Sequence, residues 1–270
     1  MANESALPQY EVYALRYGSM ARTRSTNFIH RDEHDGPMPL DYFVWLLKSP
    51  ERAILVDTGF GERAERERGR KLDCCPIGSL RLLGVEPDDI RDVIITHLHY
   101  DHAGNIDKLP NATFHIQEAE MEYATGSCMC HGVLRHAYDV EDVVHLVRNV
   151  YKDRVRFHSG YEAIAPGVEL IHIGGHTKGL QSVRVHTRRG WIVLASDASH
   201  YYANMLEANP FPIVYNVADM LDGHKTCLRY ADSPDHVVPG HDPLVLKKYP
   251  RVEGLDVQIA RLHEPPVNLP

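Results

Sequence analysis

The stretch THLHYDHAGN, residues 96–105, holds His97, His99, Asp101 and His102 within six positions. Imidazole and carboxylate are ligands that suit zinc and similar divalent ions. In an extended H-x-H-x-D-H segment alternate side chains project the same way. His97 and His99 can therefore grip one ion, while Asp101 and His102 turn toward a second. Two ions roughly 3.5–4 Å apart can activate a water between them and stabilise both the attacking and the leaving oxygen of a hydrolysis. The pattern recurs downstream in weaker form. His176 follows an apolar run and two glycines, Asp197 follows Val193 and Leu194, and His241 follows Val237, Val238, Pro239 and Gly240. Any one of these residues alone reads as a surface or hydrogen-bonded core side chain. Together, each at the end of an apolar run, the seven suffice for two ions sharing a carboxylate.

Such residues need strands to carry them. Residues 10–20, 39–49 and 52–61 read as strands, with a long polar loop over 21–39. Residues 78–90 read as a short helix stopped by Gly84, and 112–125 as a strand leading into a helix. Over 139–151 the spacing predicts an amphipathic helix with Val140, Val143, Val144, Val147 and Tyr151 on one face. Strands return at 168–175, 181–187 and 190–199, a helix at 216–231, and a short strand at 235–242. No linker or repeat interrupts them, so residues 1–270 read as one α/β domain.

The composition narrows the function. The chain has 270 residues, 43% hydrophobic and 24% charged, enough for a sizeable core. A formal net charge of −8 argues against a nucleic-acid partner, which needs clustered Lys and Arg. The basic stretch at 61–71 alternates with glutamates and reads as a solvated face or mobile loop. There is neither a membrane-length apolar run nor an N-terminal signal pattern. Five cysteines, one pair adjacent and one C-x-C, make a poor disulfide framework. Reduced thiols in a cytoplasmic setting are the expectation. The segment SCMCH, 127–131, has no partner at zinc-finger spacing and reads as a loop or helix flank. His115, His145, His172 and His224 read as structural. Met20, Phe28 and Phe60 are candidates to line a substrate cleft, and NPFPIVYN, 209–216, to narrow it.

With these motifs in order, the chain resembles the metallo-β-lactamase superfamily over most of its length. ILVDTGFG looks like the family's early Asp-Thr-Gly element, THLHYDHAGN its signature, and GGHTKGLQSV its third histidine loop. ASDAS looks like its shared-aspartate element and VVPGHDP its last histidine loop. The resemblance implies an α/β four-layer αββα sandwich with a dinuclear site at one edge. Within the superfamily the chain looks most like the N-acyl homoserine lactonases. That likeness implies His97, His99 and His176 on one metal, Asp101, His102 and His241 on the other, and Asp197 bridging. Zinc is the expected ion, with manganese, iron or cobalt as alternatives. Asp57 is expected either to orient a ligating imidazole or simply to make a strand-end turn.

The resemblance implies a hydrolase that opens a lactone ring on a small-molecule substrate, with Asp101, Asp197 and His200 as catalytic residues. Asp197 would pass a proton to the leaving alkoxide. These lactonases commonly carry a tyrosine three residues after the shared aspartate; here that position is His200, with Tyr201 and Tyr202 beside it. An imidazole can also donate a hydrogen bond to a developing oxyanion. A lactonase for a small catabolic or heterocyclic lactone, of the 4-pyridoxolactonase kind, stands as an alternative. So does a glyoxalase-II-like thioesterase, although no basic cluster for a glutathione-type carboxylate is evident. A metal-binding ligand sensor without activity is the non-enzyme alternative. The sequence leaves the oligomeric state open, a homodimer included.

Overall fold

The strand Leu40–Lys48 is buried at every position but its last. A strand covered on both faces must lie inside a layered structure. The computed structural model describes residues 7–31 and 35–267; part of the 21–39 loop reading, at 32–34, lies outside the described residues. Among the described residues the strands form an eight-stranded and a five-stranded sheet. The first contains β1 (Glu11–Met20), β2 (Leu40–Lys48), β3 (Ala53–Val56), β4 (Lys71–Leu72), β5 (Asp92–Ile94), β6 (Thr113–Gln117) and β7 (Val155–His158), with β13 (Ile259–Arg261) on its edge. Its order is β13-β1-β2-β3-β5-β6-β7, and β4 pairs with β1. The second runs β12 (Val237–Pro239), β11 (Gly190–Ser196), β10 (Gln181–Thr187), β9 (Val168–His172), β8 (Tyr161–Ala165).

The period of two along each strand sorts side chains between layers. Val12, Phe43, Trp45, Ile54, Val56 and Ile94 of the first sheet meet Val168, Leu170, Val183, Ile192 and Leu194 of the second. The opposite face of the first sheet, with Leu15, Val44, Leu55, Val93 and Phe114, packs under Tyr123, Val143 and Leu146 from helices. On the outer face of the second, Val193, Ala195 and Val237 pack with Cys227 of the helix Val217–Tyr230. Helix, sheet, sheet, helix is the αββα order. β3, β5 and β6 run parallel, so their C-terminal ends share one edge. The parallel β11–β12 pair brings two more loop starts close to each other.

Several local expectations change. Residues 61–71 form a helix, Glu62–Arg68, and then β4, instead of a mobile loop. The segment 78–90 makes two short 3₁₀ turns, Gly78–Leu83 and Pro87–Asp89, because Gly84 (φ 70°) breaks the run between them. The helix Val140–Val150 is present, capped by the Asp139 side chain, but it buries Asp142, Val143, Leu146 and Asn149. Val140 and Tyr151 are 69% and 87% exposed. The face is rotated because Arg63 pairs with Asp139 at 2.8 Å and Asp142 at 3.4 Å, drawing a polar flank inward.

The layer between the sheets sets the stability. Leu194→Ala empties a site with no solvent exposure and is expected to cost about 2–5 kcal/mol. Leu206→Ala, at a side chain 83% exposed, is expected to stay within about 0.5 kcal/mol. Urea unfolding of the two variants measures the contrast; equal losses would show that the sheets do not pack as described.

Candidate metal centre

Several strand ends on this edge deliver the parts of the cluster. His97 and His99 follow β5, and the turn Tyr100–Ala103 carries Asp101 and His102. His176 follows β9, Asp197 follows β11, and His241 follows β12. The loops after β11 and β12 nearly touch. A Cβ on Gly240 would lie 2.8 Å from the Ser196 backbone and 2.9 Å from Asp197 Oδ1, so only glycine fits there.

The seven residues converge in two groups around Asp197. Oδ2 of Asp197 lies 3.0 Å from His176 Nε2 and 3.7 Å from His97 Nε2, and His176 Nε2 is 3.0 Å from His99 Nδ1. Oδ1 lies 2.8 Å from His241 Nε2 and 3.5 Å from His102 Nε2. Asp101 Oδ2 is 3.9 Å from His102 Nε2 and 4.0 Å from His241 Nε2. Ligand atoms of His97, His99, His176 and Asp197 lie within 4.8 Å of one another, as do those of Asp101, His102 and His241.

Outer partners aim the imidazoles. Nδ1–H of His176 donates to the Ile213 carbonyl at 2.6 Å, and that of His241 to the Asp41 carbonyl at 2.9 Å. Nδ1 of His102 donates to Asp57 Oδ2 at 2.7 Å. Each bond places the Nε2 lone pair toward the cluster. Asp57 makes the strand-end turn and also fixes the His102 imidazole. It makes a left-handed turn at φ 61°, and its carboxylate accepts from Thr96 N, Thr96 Oγ1 and His102.

The donor set suits divalent ions on the structure's own terms. His97 Nε2 and His102 Nε2 are buried without a hydrogen-bond partner among the described residues. Such atoms are costly unless something occupies the space between them. Burial, then neighbouring imidazoles, holds His97 and His99 well below the usual histidine range, in the neutral form a metal needs. At His102 burial is outweighed by the Asp197, Asp57 and Asp101 carboxylates, which raise the imidazole to about 10. At Asp197 burial is likewise outweighed, by His200, His241, His102 and His176, and its carboxyl lies well below the usual range. The field around Asp197 favours positive charge.

His200 sits beside the cluster and lines the cleft above it. Its Nε2 lies 3.1 Å from Asp197 Oδ2, and its ring stacks on Phe211 at 3.7 Å. Burial, against the pull of Asp197, lowers this imidazole to about 3, so it offers an N–H donor in neutral form. The cleft is narrow, about 60 Å³, and Met20, Phe211 and Ile213 line it. Phe28 and Phe60 do not. Phe28 is buried under the Arg24 guanidinium, and Phe60 packs edge-on against Tyr17 and Tyr42 in the core. The SCMCH segment is a 3₁₀ turn, Ser127–Cys130, and all five cysteines are free. His115 lies in a separate cluster, stacked on His158 and bonded to Asp92.

Sequence reasoning missed Glu120. This carboxylate is fully buried and accepts from Leu98 N at 2.9 Å, Tyr138 Oη at 2.9 Å and Gly179 N at 3.1 Å. It thereby ties the His97–His99 loop to the His176 loop. Gly179 is required there, because a Cβ would fall 2.1 Å from the Glu120 nitrogen. Its partners are 22, 18 and 59 residues away. Spacing offered no signal for it. The arginines Arg22, Arg68 and Arg70, also on the cleft wall, went equally unmarked.

Fold and cluster together make this a metal-binding αββα protein. The chain belongs to the metallo-beta-lactamase superfamily, which it matches over residues 38–244. It is 33% identical to an N-acyl homoserine lactonase of Bacillus sp. over 189 residues, covering 64% of this chain and 70% of that one. It is 29% identical to the N-acyl homoserine lactonase AttM of Rhizobium radiobacter over 251 residues, 86% of this chain and 93% of that one. Among solved structures it superposes on a mutant of B. thuringiensis AiiA with N-decanoyl-L-homoserine bound at the active site. The TM-score is 0.74 at 26% identity, covering 92% of this chain and 99% of that one.

If Glu120 braces the two loops, Glu120→Gln should loosen the cluster without unfolding the chain. One carboxylate oxygen becomes an NH₂ group facing donors, so affinity for the ions is expected to fall about 10–100-fold. Competition with a chelator measures the loss and circular dichroism checks the fold. Unchanged affinity would remove Glu120 from the site's support.

Proposed function

We propose that this chain is a dinuclear metal-dependent hydrolase that opens lactone rings, with N-acyl homoserine lactones as the first substrates to try. The observation that carries the reading is Asp197, whose two oxygens face two separate groups of ligand-type side chains. The relatives named N-acyl homoserine lactonase support the choice of reaction. In this reading His97, His99 and His176 hold one ion, Asp101, His102 and His241 the other, and Asp197 both. Zinc suits four-coordinate imidazole and carboxylate sites, while manganese, iron and cobalt accept the same ligands. Two such ions, when bound, polarise the ester carbonyl and lower the pKa of water.

The chain's own groups then orient and move protons. The cleft presents the lactone carbonyl to the His97–His99–His176 side, and Phe211 and Ile213 limit how the ring lies. Asp197 takes a proton as water adds to the carbonyl carbon and returns it to the ring oxygen as the C–O bond breaks. Asp101, the ligand-type carboxylate that also lines the cleft, faces the departing alkoxide. His200 Nε2–H donates to the oxyanion that forms at the carbonyl oxygen. The product is the hydroxy acid, which ionises and releases one proton per ring opened.

In this reading residues 1–270 act as one hydrolase domain. Unpaired cysteines suit a reducing compartment, and the cytoplasm is the location proposed. No helix among the described residues is long and apolar enough to cross a membrane. The net charge of −8 disfavours a nucleic-acid substrate.

Two experiments test the assignment. Asp101→Ala or His241→Ala removes one ligand-type group at the sheet edge, and is expected to lower bound metal below two ions per chain and lactone turnover by orders of magnitude. Elemental analysis and proton release give the answer; unchanged metal and activity would show the ligand set to be wrong. His200→Ala is expected to lower kcat by about 10²-fold, the scale of one lost oxyanion donor, with metal content unchanged and part of the loss restored in His200→Tyr. Full kcat in His200→Ala would move the donor to another residue, and loss of metal would make His200 a support of the ions.

A further inference from the structure

Three arginines face the cleft above the cluster, and each is held by neutral groups. Arg22 donates from Nε to Asn27 Oδ1 and from Nη2 to the Thr26 carbonyl, with its guanidinium 4.9 Å from the Phe211 ring centroid. Phe211 stacks on His200, so this cation stands two rings away from Asp197. On the Tyr100 side, Arg68 donates to the His136 and Tyr138 carbonyls at 2.7 and 2.8 Å and lies 4.2 Å over the Tyr100 ring. Arg70 donates to Tyr100 Oη and to the Arg68 carbonyl, both at 2.9 Å. These bonds leave Nη1 of Arg22, Nε of Arg68 and Nη2 of Arg70 without a protein acceptor among the described residues.

The missing partner is a carboxylate. Among the described residues some arginines form ion pairs, Arg16, Arg63 and Arg184 among them, while others, such as Arg154, rest on carbonyl oxygens away from the cleft. No acid among the described residues lies within ion-pair distance of Arg22, Arg68 or Arg70, in a chain with eight more acidic than basic side chains. Burial pulls the Arg22 guanidinium below its usual value, as befits a half-buried cation short of counter-charge. Asp142 acts on Arg68 and Asp101 on Arg70 only from beyond ion-pair distance; Asp142 is paired with Arg63, and Asp101 belongs to the cluster. Long side chains fixed in place without being neutralised are preorganised for an anion, since their rotamer freedom is already lost.

We infer that the lactone opened here carries a carboxylate, which lies against Arg22, Arg68 and Arg70 while the ring carbonyl lies at the cluster. The inference rests on the lactonase reading and narrows its substrate class. A plain acyl chain in this cleft would cover guanidinium groups and leave them unpaired, at a desolvation cost. A carboxylate instead accepts their free N–H groups in charge-assisted bonds. The carboxylate has two possible sources with the same chemistry, the ring itself or the far end of an acyl group on it.

Matched pairs of substrates on the metal-loaded enzyme test this. One pair is 5-oxotetrahydrofuran-2-carboxylate and its primary amide; the other is N-succinyl homoserine lactone and its terminal amide. At least one acid is expected to exceed its amide about 10²-fold in kcat/KM, the scale of a charged hydrogen-bond pair. The pair that shows the preference locates the carboxylate. Arg22→Gln, Arg68→Gln or Arg70→Gln should lower that acid's kcat/KM about tenfold or more through KM, while the amide stays within about twofold. Arg70→Lys, which keeps the charge but loses the planar fork, should lose less than Arg70→Gln. A readout without turnover is calorimetric binding of glutarate, expected to weaken in the same variants, with acetate binding and metal content unchanged. If acids and amides are opened equally and the arginine variants match wild type, the anionic substrate class is overturned and the lactonase reading stands. If none of the four lactones is opened, nor any acyl homoserine lactone, the lactonase reading itself falls. Glutarate binding unaffected by the arginine variants then overturns the anion site too.

Discussion

The arrangement depends on one carboxylate. Asp197 turns Oδ2 to His97 and His176 and Oδ1 to His102 and His241, so a single side chain joins the two halves of the cluster. A buried carboxylate is tolerable only where positive charge surrounds it, and here four imidazoles pull it well below its usual range. The same field raises His102 and lies beside nitrogens that have no protein partner. Charge, burial and orphaned lone pairs all call for cations at one place.

Holding that carboxylate between two groups constrains the backbone. β11 ends in Ser196 at φ 48°, and Gly240 of the next loop passes against Ser196 and Asp197 with no room for a side chain. Thr96 Oγ1 meets Ser196 Oγ at 2.9 Å, linking the loop after β5 to the end of β11. Asp57 and Glu120 work from behind. One aims His102, and the other clamps the His97–His99 loop to Gly179. Both are buried acids whose oxygens are occupied by N–H and O–H donors, so they act as rigid struts.

Above the cluster the wall is built of rings and cations. His200, Phe211 and Arg22 form one stack, and Tyr100 is flanked by Arg68 and Arg70 on the other side. Aromatic faces hold guanidinium groups without neutralising them. Met20, Arg22, Arg68, Arg70, Phe211 and Ile213, which line this cleft, all lie outside the ligand motifs.

The αββα order came from the family resemblance; the sequence by itself determined the α/β class, the strands that end at the cluster, and the seven ligand-type residues that meet there. These are local properties: apolar alternation is read within a strand, and H-x-H-x-D-H declares itself within six positions. Asp57 was half legible, because Asp-Thr-Gly marks a turn but does not say that its carboxylate will meet His102 across 45 residues. Only the tertiary structure decided the rest. The valine stripe of 139–151 is only partly the buried face: Val143 enters the core, while Val140 and Tyr151 are exposed and Asp142 is buried beside Arg63. The run 61–71 looked like solvated charge, because its period says nothing about which arginines find an acid. Folding pairs Arg63 and leaves Arg68 and Arg70 at the cleft with no ion pair among the described residues. Glu120 was invisible for the same reason: a buried charge is defined by donors that arrive from distant parts of the chain, and no local pattern encodes where those donors will be.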